Sequence, residues 1–265
     1  MAADKIYYRI MKVVILAGGL GTRLAEETEI KPKPMIEIGG RPILWHIMKI
    51  YAHYGFKEFY VALGYKGETI KRFFYDYQSL SGNLSINFAD GSVDVRERDC
   101  EDWQVNLIET GQNSMTGGRV KRLEEHLRGA PFMVTYGDGV SNVNIADLVK
   151  FHKSHGKLGT VTAVHPPARY GELLIREDLT TGFSEKPQTR EGWINGGFLV
   201  FEPKILDYLS GDESILEIEA LERLANEGQL VAYKHDDFWQ CMDTLRDKRQ
   251  LESAWDSENP PWKVW

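Results

Sequence analysis

The chain has 265 residues, of which 42% are hydrophobic and 27% charged. That composition excludes a wholly disordered or fibrous protein and allows a sizeable core. Lysine and arginine number 32 against 39 aspartates and glutamates, a formal net charge of −7, so the overall field disfavours nucleic acid or an anionic membrane surface as a partner.

An anionic substrate would then have to be met by local cations or a metal. The two cysteines, Cys100 and Cys241, form no CxxC and no Cys/His cluster. Neither a disulfide framework nor a zinc site is readable, and two lone thiols fit a reducing cytoplasm. No run reaches the ~18 apolar residues of a spanning helix. Residues 1–10 lack a signal-peptide core and read as a tail. No repeat or linker interrupts 11–265, which reads as a single domain.

The predicted elements begin with Val13–Ala17, a short apolar run ending in glycine, as in a buried parallel strand. Pro42 opens a helix that Gly55 closes. Phe59–Leu63 is a second strand and Glu68–Tyr77 a second helix, so the alternation implies a parallel sheet covered on both faces. Short strands are expected at Leu84–Phe88, Val93–Arg98 and Val105–Glu109, then a helix over Gly118–Leu127 and a buried strand over Phe132–Tyr136. Ile145–His155 reads as helix and Gly159–Val164 as strand. Gly171–Arg176, Gly182–Glu185 and Ile194–Phe201 read as strands. Helices at about 203–209 and 217–226 precede strands at Leu230–His235 and Phe238–Met242. A last helix covers Leu245–Trp255. The expected fold class is α/β: a Rossmann-like three-layer α/β/α sandwich with a mixed, mainly parallel sheet and small antiparallel additions.

Gly18-Gly19-Leu20-Gly21-Thr22-Arg23-Leu24 follows the first strand. Glycine permits close backbone approach, and successive N–H groups can form an anion-binding nest. No Gly-Lys-Ser/Thr ends the run, so it is not a Walker A loop, and Leu24 spoils a dinucleotide fingerprint. A plain strand-to-helix turn with a surface arginine has the same composition. Lys31-Pro32-Lys33-Pro34-Met35 comes next, read as stiff and extended because proline restricts itself and its predecessor. It suits a phosphate clamp, and also an exposed loop.

Together these segments resemble the signature of the sugar-nucleotidyltransferase (nucleoside-diphosphate-sugar pyrophosphorylase) family, Gly-Gly-x-Gly-Thr-Arg-Leu followed by Pro-Lys-Pro-Met. The resemblance continues through Tyr136-Gly137-Asp138-Gly139, Glu185-Lys186-Pro187, Asn195-Gly196-Gly197 and Trp239-Gln240-Cys241-Met242-Asp243-Thr244, from about Met11 to the last helix. It implies that Asp138 and Asp243 bind Mg²⁺, a hard ion held by one or two carboxylates plus substrate phosphates. It also implies that Lys186 holds a sugar phosphate, that Glu185 holds a sugar hydroxyl, and that Asn195 and Gly196 hold the sugar. Arg23 is expected on the leaving phosphates and Lys33 at the α-phosphate. Leu16, Ala17, Gly18, Gly19, Gly21 and Thr22 would face the nucleotide, and Gly137, Tyr170 and Gly171 complete the ligand-binding set. Taken alone, Asp243 competes with an N-cap reading, since a helix starts near Thr244.

Thr110–Arg119, with its Ser-Met-Thr-Gly-Gly-Arg core, and Pro42–Met48 resemble the branch of the family that takes CTP and glucose 1-phosphate. Ser114, Gly118 and Arg119 are the candidates for the cytosine side. The resemblance implies a homo-oligomer, a hexamer among the options, with Asp90–Trp103 as a candidate contact, and a CDP-sugar route toward surface polysaccharide. The same chemistry with UTP or dTTP is the nearest alternative, then a non-catalytic sugar-nucleotide-binding subunit, and far behind these a dinucleotide-dependent oxidoreductase.

Other tempting residues have plainer readings. His152 and His155 lie i, i+3 on a helix without partner ligands. His46 and His53 sit on an apolar helix and are expected to be packed or interfacial. Lys121-Arg122 followed by Glu124-Glu125 reads as a solvated helix face. Trp255, Trp262 and Trp265 either pack on their own domain or make a subunit contact.

Overall fold

Alternation along the first strand sets the layering. Val13 and Ile15 belong to one apolar cluster, Val14 and Leu16 to another, because successive side chains of a strand face opposite sides of the sheet. All four are buried, so both faces are covered. The structure is a computed structural model, and it describes residues 11–19, 31–97, 100–166, 172–176, 179–184 and 192–265.

The strands β1 (Val13–Leu16), β2 (Glu58–Leu63), β3 (Gln104–Glu109), β4 (Phe132–Tyr136), β5 (Gly159–Val164), β6 (Ile194–Phe201) and β7 (Leu230–His235) form the central sheet. Their spatial order is β7-β5-β6-β4-β1-β2-β3. β6 alone runs against its neighbours; the other pairs are parallel. Helices α1 (Ile43–His53), α4 (Ile145–His155) and α5 (Leu245–Trp255) bury apolar residues in the cluster of Val13. Helix α2 (Gly67–Ser79) adds Ile70 to it. Helix α3 (Thr116–Arg122) and the helical segments at 203–208 and 216–226 fill the cluster of Val14. This is the expected three-layer, mainly parallel sandwich.

Two consequences of the topology place the site. The parallel strands β1, β2, β3 and β4 end at one edge of the sheet, where ligand sites of open α/β sheets gather. The reversed β6 brings its amino end, Ile194 and Asn195, to that same edge, since Ile194 pairs with Val164 at the carboxyl end of β5. A ribbon then pairs Gly139–Ser141 with Trp239–Cys241, and the Met242 N–H donates to the Asp138 carbonyl at 2.8 Å. Residues 138 and 243 are thereby drawn together. Further two-stranded ribbons join 37–38 to 41–42, 83–87 to 92–96 and 172–176 to 179–184.

Several elements differ from the sequence reading. The helix expected over 118–127 breaks at Leu123 into Thr116–Arg122 and Glu124–Leu127. The segment at 203–208 is a 3-10 helix, and Leu216–Glu222 is a π-helix that passes into an α-turn at Arg223–Asn226. The Lys-Pro-Lys-Pro-Met segment is not extended. Lys33–Met35 is one 3-10 turn with Pro32, Pro34 and Met35 buried, a conformation compatible with the fixed φ of proline.

The C-terminal tryptophans pack on their own chain. Trp262 is fully buried and stacks on Phe238 and Trp255. Its Nε1–H donates to His46 Nδ1 at 3.3 Å, while His46 Nε2 lies 2.9 Å from the Ile38 carbonyl. With Nδ1 accepting, Nε2 carries the proton and His46 is neutral; burial pushes its pKa down to about 4. Gly39 has φ +58°, and a Cβ there would lie 1.8 Å from Trp255 Nε1, so this turn needs glycine on both counts.

Candidate active site

The glycine turn after β1 rests on a buried arginine. Arg119, on α3, is 5% exposed. Its Nη1 donates to Leu63 O, Thr110 Oγ1 and Gly111 O, and its Nη2 to Gly18 O and Gln112 O, at 2.7–3.3 Å. One planar guanidinium thus ties together the ends of β1, β2 and β3. A Cβ at Gly18 would lie 2.2 Å from Arg119 Cζ, and one at Gly64 2.5 Å from Nη1. Leu16, Ala17 and Gly18 are buried and Gly19 is exposed. Gly137 closes the neighbouring corner: its N–H donates to Leu16 O at 3.0 Å, and a Cβ would press on that carbonyl and on Pro34.

Pro34 packed against Gly137 is what sets Lys33 in place. The Lys33 Nζ lies 2.5 Å from Asp138 Oδ2 and 2.5 Å from Asp243 Oδ1. All three side chains are partly buried. Burial works to lower the Lys33 pKa, but the two carboxylates outweigh it and the ammonium is held above its ordinary value. Asp138 and Asp243 therefore reach one point in space from the two strands of the ribbon, at the same end of it.

The N-cap reading of Asp243 is corrected. Thr244 caps α5, accepting from Asp247 N–H, and the Asp247 carboxylate accepts from the N–H groups of both Asp243 and Thr244. This capping box fixes the backbone at Asp243 and leaves its side chain to Lys33. Cys241 lies beside Asp243, but burial and the surrounding carboxylates push its pKa up to about 12, so it stays a thiol. Pro166, Ile194, Trp239, Gln240, Asp243 and Arg246 line part of a cavity of about 570 Å³ next to this cluster.

These features match a known family. The nucleotidyl transferase model fits residues 12–254. A glucose-1-phosphate cytidylyltransferase of Salmonella typhimurium is 49% identical over 256 residues, which is 96% of this chain and all of that protein. The chain belongs to the nucleotidyl transferase family. A mannose-1-phosphate guanylyltransferase catalytic subunit beta of Dictyostelium discoideum is 30% identical over 243 residues, 89% of this chain and 62% of that one. Among solved structures, HddC from Yersinia pseudotuberculosis superposes with a TM-score of 0.67 at 24% identity, over 92% of this chain and 98% of that one.

In this nucleotidyl transferase the site residues expected from the sequence are distributed as follows. Leu16, Ala17, Gly18, Lys33, Gly137, Asp138 and Asp243 converge at the sheet edge. Asn195 and Gly196 join them from β6: the Gly196 carbonyl accepts from Trp239 Nε1 at 2.7 Å, and Asn195 Nδ2 donates to Tyr136 Oη at 3.2 Å. Arg119 faces the main chain of the glycine turn. Gly118 is packed against the Asp212 backbone, where a Cβ would come within 2.4 Å, and Ser114 is buried. Gly21, Thr22, Arg23, Tyr170, Gly171, Glu185 and Lys186 lie outside the described residues.

Three residues of the site had no role in the sequence reading. Tyr136 Oη donates to Glu217 Oε1. Thr116 Oγ1 donates to Glu217 Oε2 at 2.7 Å. Tyr136 and Thr116 each stand inside a quoted motif without a signal of their own; Glu217, 101 positions from Thr116, stands in none.

The plainer residues are accounted for. His152 Nδ1 and His155 Nε2 both lie within 2.8 Å of Thr160 Oγ1, a packing arrangement. Among the described residues no group of three or more metal-binding side chains occurs. Lys121 and Arg122 are not merely solvated: Lys121 donates to Leu206 O, and Arg122 holds Asp212 through two bonds of 2.6 Å.

Proposed function

We propose that this nucleotidyl transferase moves a cytidylyl group from CTP to α-D-glucose 1-phosphate, giving CDP-glucose and pyrophosphate. The observation that carries the chemistry is Lys33 between Asp138 and Asp243 at the sheet edge. The 49% identity to a glucose-1-phosphate cytidylyltransferase over that protein's whole length supports the choice of substrates.

A phosphate oxygen of the sugar phosphate attacks the α-phosphorus. That P–O bond forms as the bond to the β-phosphate breaks, and the electron pair leaves with pyrophosphate. The nucleophile is already anionic near neutral pH, so the site needs no strong general base. Catalysis then rests on positioning and on neutralising charge. The fixed glycine turn offers main-chain groups of Leu16, Ala17 and Gly18 to the nucleotide. Lys33 supplies a cation, held charged, at the α-phosphate. Asn195 and Gly196 take the sugar. From the sequence alone, Arg23 is assigned to the leaving phosphates, Lys186 to the sugar phosphate and Glu185 to a sugar hydroxyl.

Mg²⁺ fits this donor set. Two hard carboxylates that reach one point, beside a thiol kept protonated, suit a hard cation that also needs phosphate oxygens. Asp138 and Asp243 would hold it, and the ion would neutralise charge on the phosphates. A homo-oligomer is supported by the exposed apolar side chains of Leu84, Ile86, Phe88 and Val93 on the 83–96 ribbon. Among the described residues no helix is long and apolar enough to cross a membrane; a cytoplasmic enzyme is our reading.

The test is product identification. Incubation with CTP, glucose 1-phosphate and Mg²⁺, followed by ³¹P NMR, is expected to show a new diphosphate diester together with pyrophosphate. Orthophosphate and CDP instead would contradict displacement at the α-phosphorus.

A further inference from the structure

A chain of hydrogen bonds crosses the site through a residue to which the functional reading gives no part. Thr116, at the start of α3, donates to Glu217 Oε2 at 2.7 Å and accepts the Leu216 N–H at 2.9 Å. Tyr136 donates its hydroxyl proton to Glu217 Oε1. The Tyr136 oxygen accepts from Asn195 Nδ2 at 3.2 Å, and Asn195 Oδ1 accepts the Gly197 N–H at 2.9 Å. Glu217 thus joins the segment after β3 to the amino end of β6.

The polarity of this chain is fixed by proton counting. Tyr136 has one proton, and the carboxylate takes it. The phenol oxygen can then only accept along its other direction, so the Asn195 amide must turn its Nδ2 toward it. The Gly197 N–H enforces the same orientation from the other end of the amide. The Tyr136 ring is clamped on Gly197, which has φ +80° and where a Cβ would lie 2.5 Å from the ring. Without the carboxylate the Tyr136 proton has no fixed acceptor and its oxygen no longer has to accept from Asn195 Nδ2, so the amide is held at one end only, by the Gly197 N–H. Glu217 also stands in the first turn of the π-helix, a form found disproportionately at functional sites.

We propose that Glu217 is a positioning residue of the hexose subsite: through Tyr136 it fixes the direction of the Asn195 amide and so the pattern of hexose hydroxyls the site accepts. This rests on reading Asn195 and Gly196 as the sugar side.

Steady-state kinetics test it, with glucose, galactose and mannose 1-phosphates as probes. Glu217→Ala is expected to raise KM for glucose 1-phosphate about tenfold, one lost oriented hydrogen bond, and to narrow the preference for glucose over its epimers. KM for the nucleotide and kcat should stay within about threefold, because Glu217 touches neither the phosphates nor Lys33. Glu217→Gln should restore most of the affinity, since its carbonyl still accepts from Tyr136. Tyr136→Phe should give the alanine signature and not add to it in the double variant, and it carries the test should Glu217→Ala not fold. The exposed neighbour Glu222→Ala serves as control. Parallel changes in both KM values and kcat, or an unchanged hexose KM in folded Glu217→Ala and Tyr136→Phe, would overturn the proposal alone. A wild-type protein that turns over no hexose 1-phosphate with any nucleoside triphosphate would overturn the reading of the site, and the proposal with it.

Discussion

Lys33 and Asp243 are 210 positions apart in the chain, and the ammonium of one stands 2.5 Å from the carboxylate of the other. The contact depends on a proline turn at one end and a capping box at the other, both local devices. Lys33→Ala and Asp138→Ala are each expected to fold normally and to lose at least about 100-fold in turnover, the usual cost of removing a placed electrostatic partner. Near-normal rates in either, with an unchanged Tm, would remove that residue from the catalytic set.

The same ammonium bears on the metal. Lys33→Met leaves two carboxylates facing one point without their cation. Mn²⁺ binding to the nucleotide-free protein, followed by electron paramagnetic resonance, should therefore be tighter in this variant than in the wild type. Weaker or equal binding would contradict Asp138 and Asp243 as joint ligands.

Arg119 and Gly18 form a steric pair. Gly18→Ala would drive a methyl group into the guanidinium, 2.2 Å from Cζ. Arg119→Ala would strip one hydrogen bond each from the buried carbonyls of Leu63 and Gly18, which keep the N–H groups of Thr110 and Tyr65 as partners, at about 0.5–1.5 kcal/mol for each bond lost. Because contacting residues couple, Gly18→Ala should cost less stability in an Arg119→Ala background than alone. Thermal melts of the four proteins measure this; strict additivity would mean that the turn does not rest on Arg119.

Two buried imidazoles give the protein an acid limit. Burial pushes His46 and His152 down to about 4 from 6.5. Above pH 6.5 both folded and unfolded chains hold them neutral. Between 6.5 and 4 the unfolded chain binds protons that the folded chain does not, so stability falls by about 1.4 kcal/mol per pH unit for each residue. Below about 4 the folded protein protonates as well and this contribution levels off. Denaturant midpoints across this range should drop, and drop less steeply in His152→Gln. An unchanged slope in that variant would contradict the neutral, buried assignment.

The fold was largely legible because its signals are local. Buried strands, a proline at one helix start and glycines past helix ends placed all seven strands of the main sheet to within a residue or two. The glycine turn stood out for the same reason; the proline segment stood out too but reads as extended where it forms a 3-10 turn, and the two aspartates were singled out by the family resemblance and not by a local pattern. What was missed depends on contacts that short-range patterns do not encode. Arg119 in a Gly-Gly-Arg run looks like a ligand residue, and only the convergence of β1, β2 and β3 turns it toward Gly18. The amphipathic run at 118–127 reads as one helix; the break at Leu123 divides it into two pieces, of which the second buries only Leu127. Glu217 sits among other acidic residues on a helix, with nothing in the sequence to single it out. The Trp262–His46 bond joins residues 216 apart.

Pyrophosphate release with glucose 1-phosphate and Mg²⁺, measured with CTP, UTP, dTTP, ATP and GTP in turn, tests the central claim most directly. Release with CTP well above the other four is the predicted result. Release led by another nucleotide would keep the chemistry and overturn the cytidine assignment, and no release with any of the five would contradict the account.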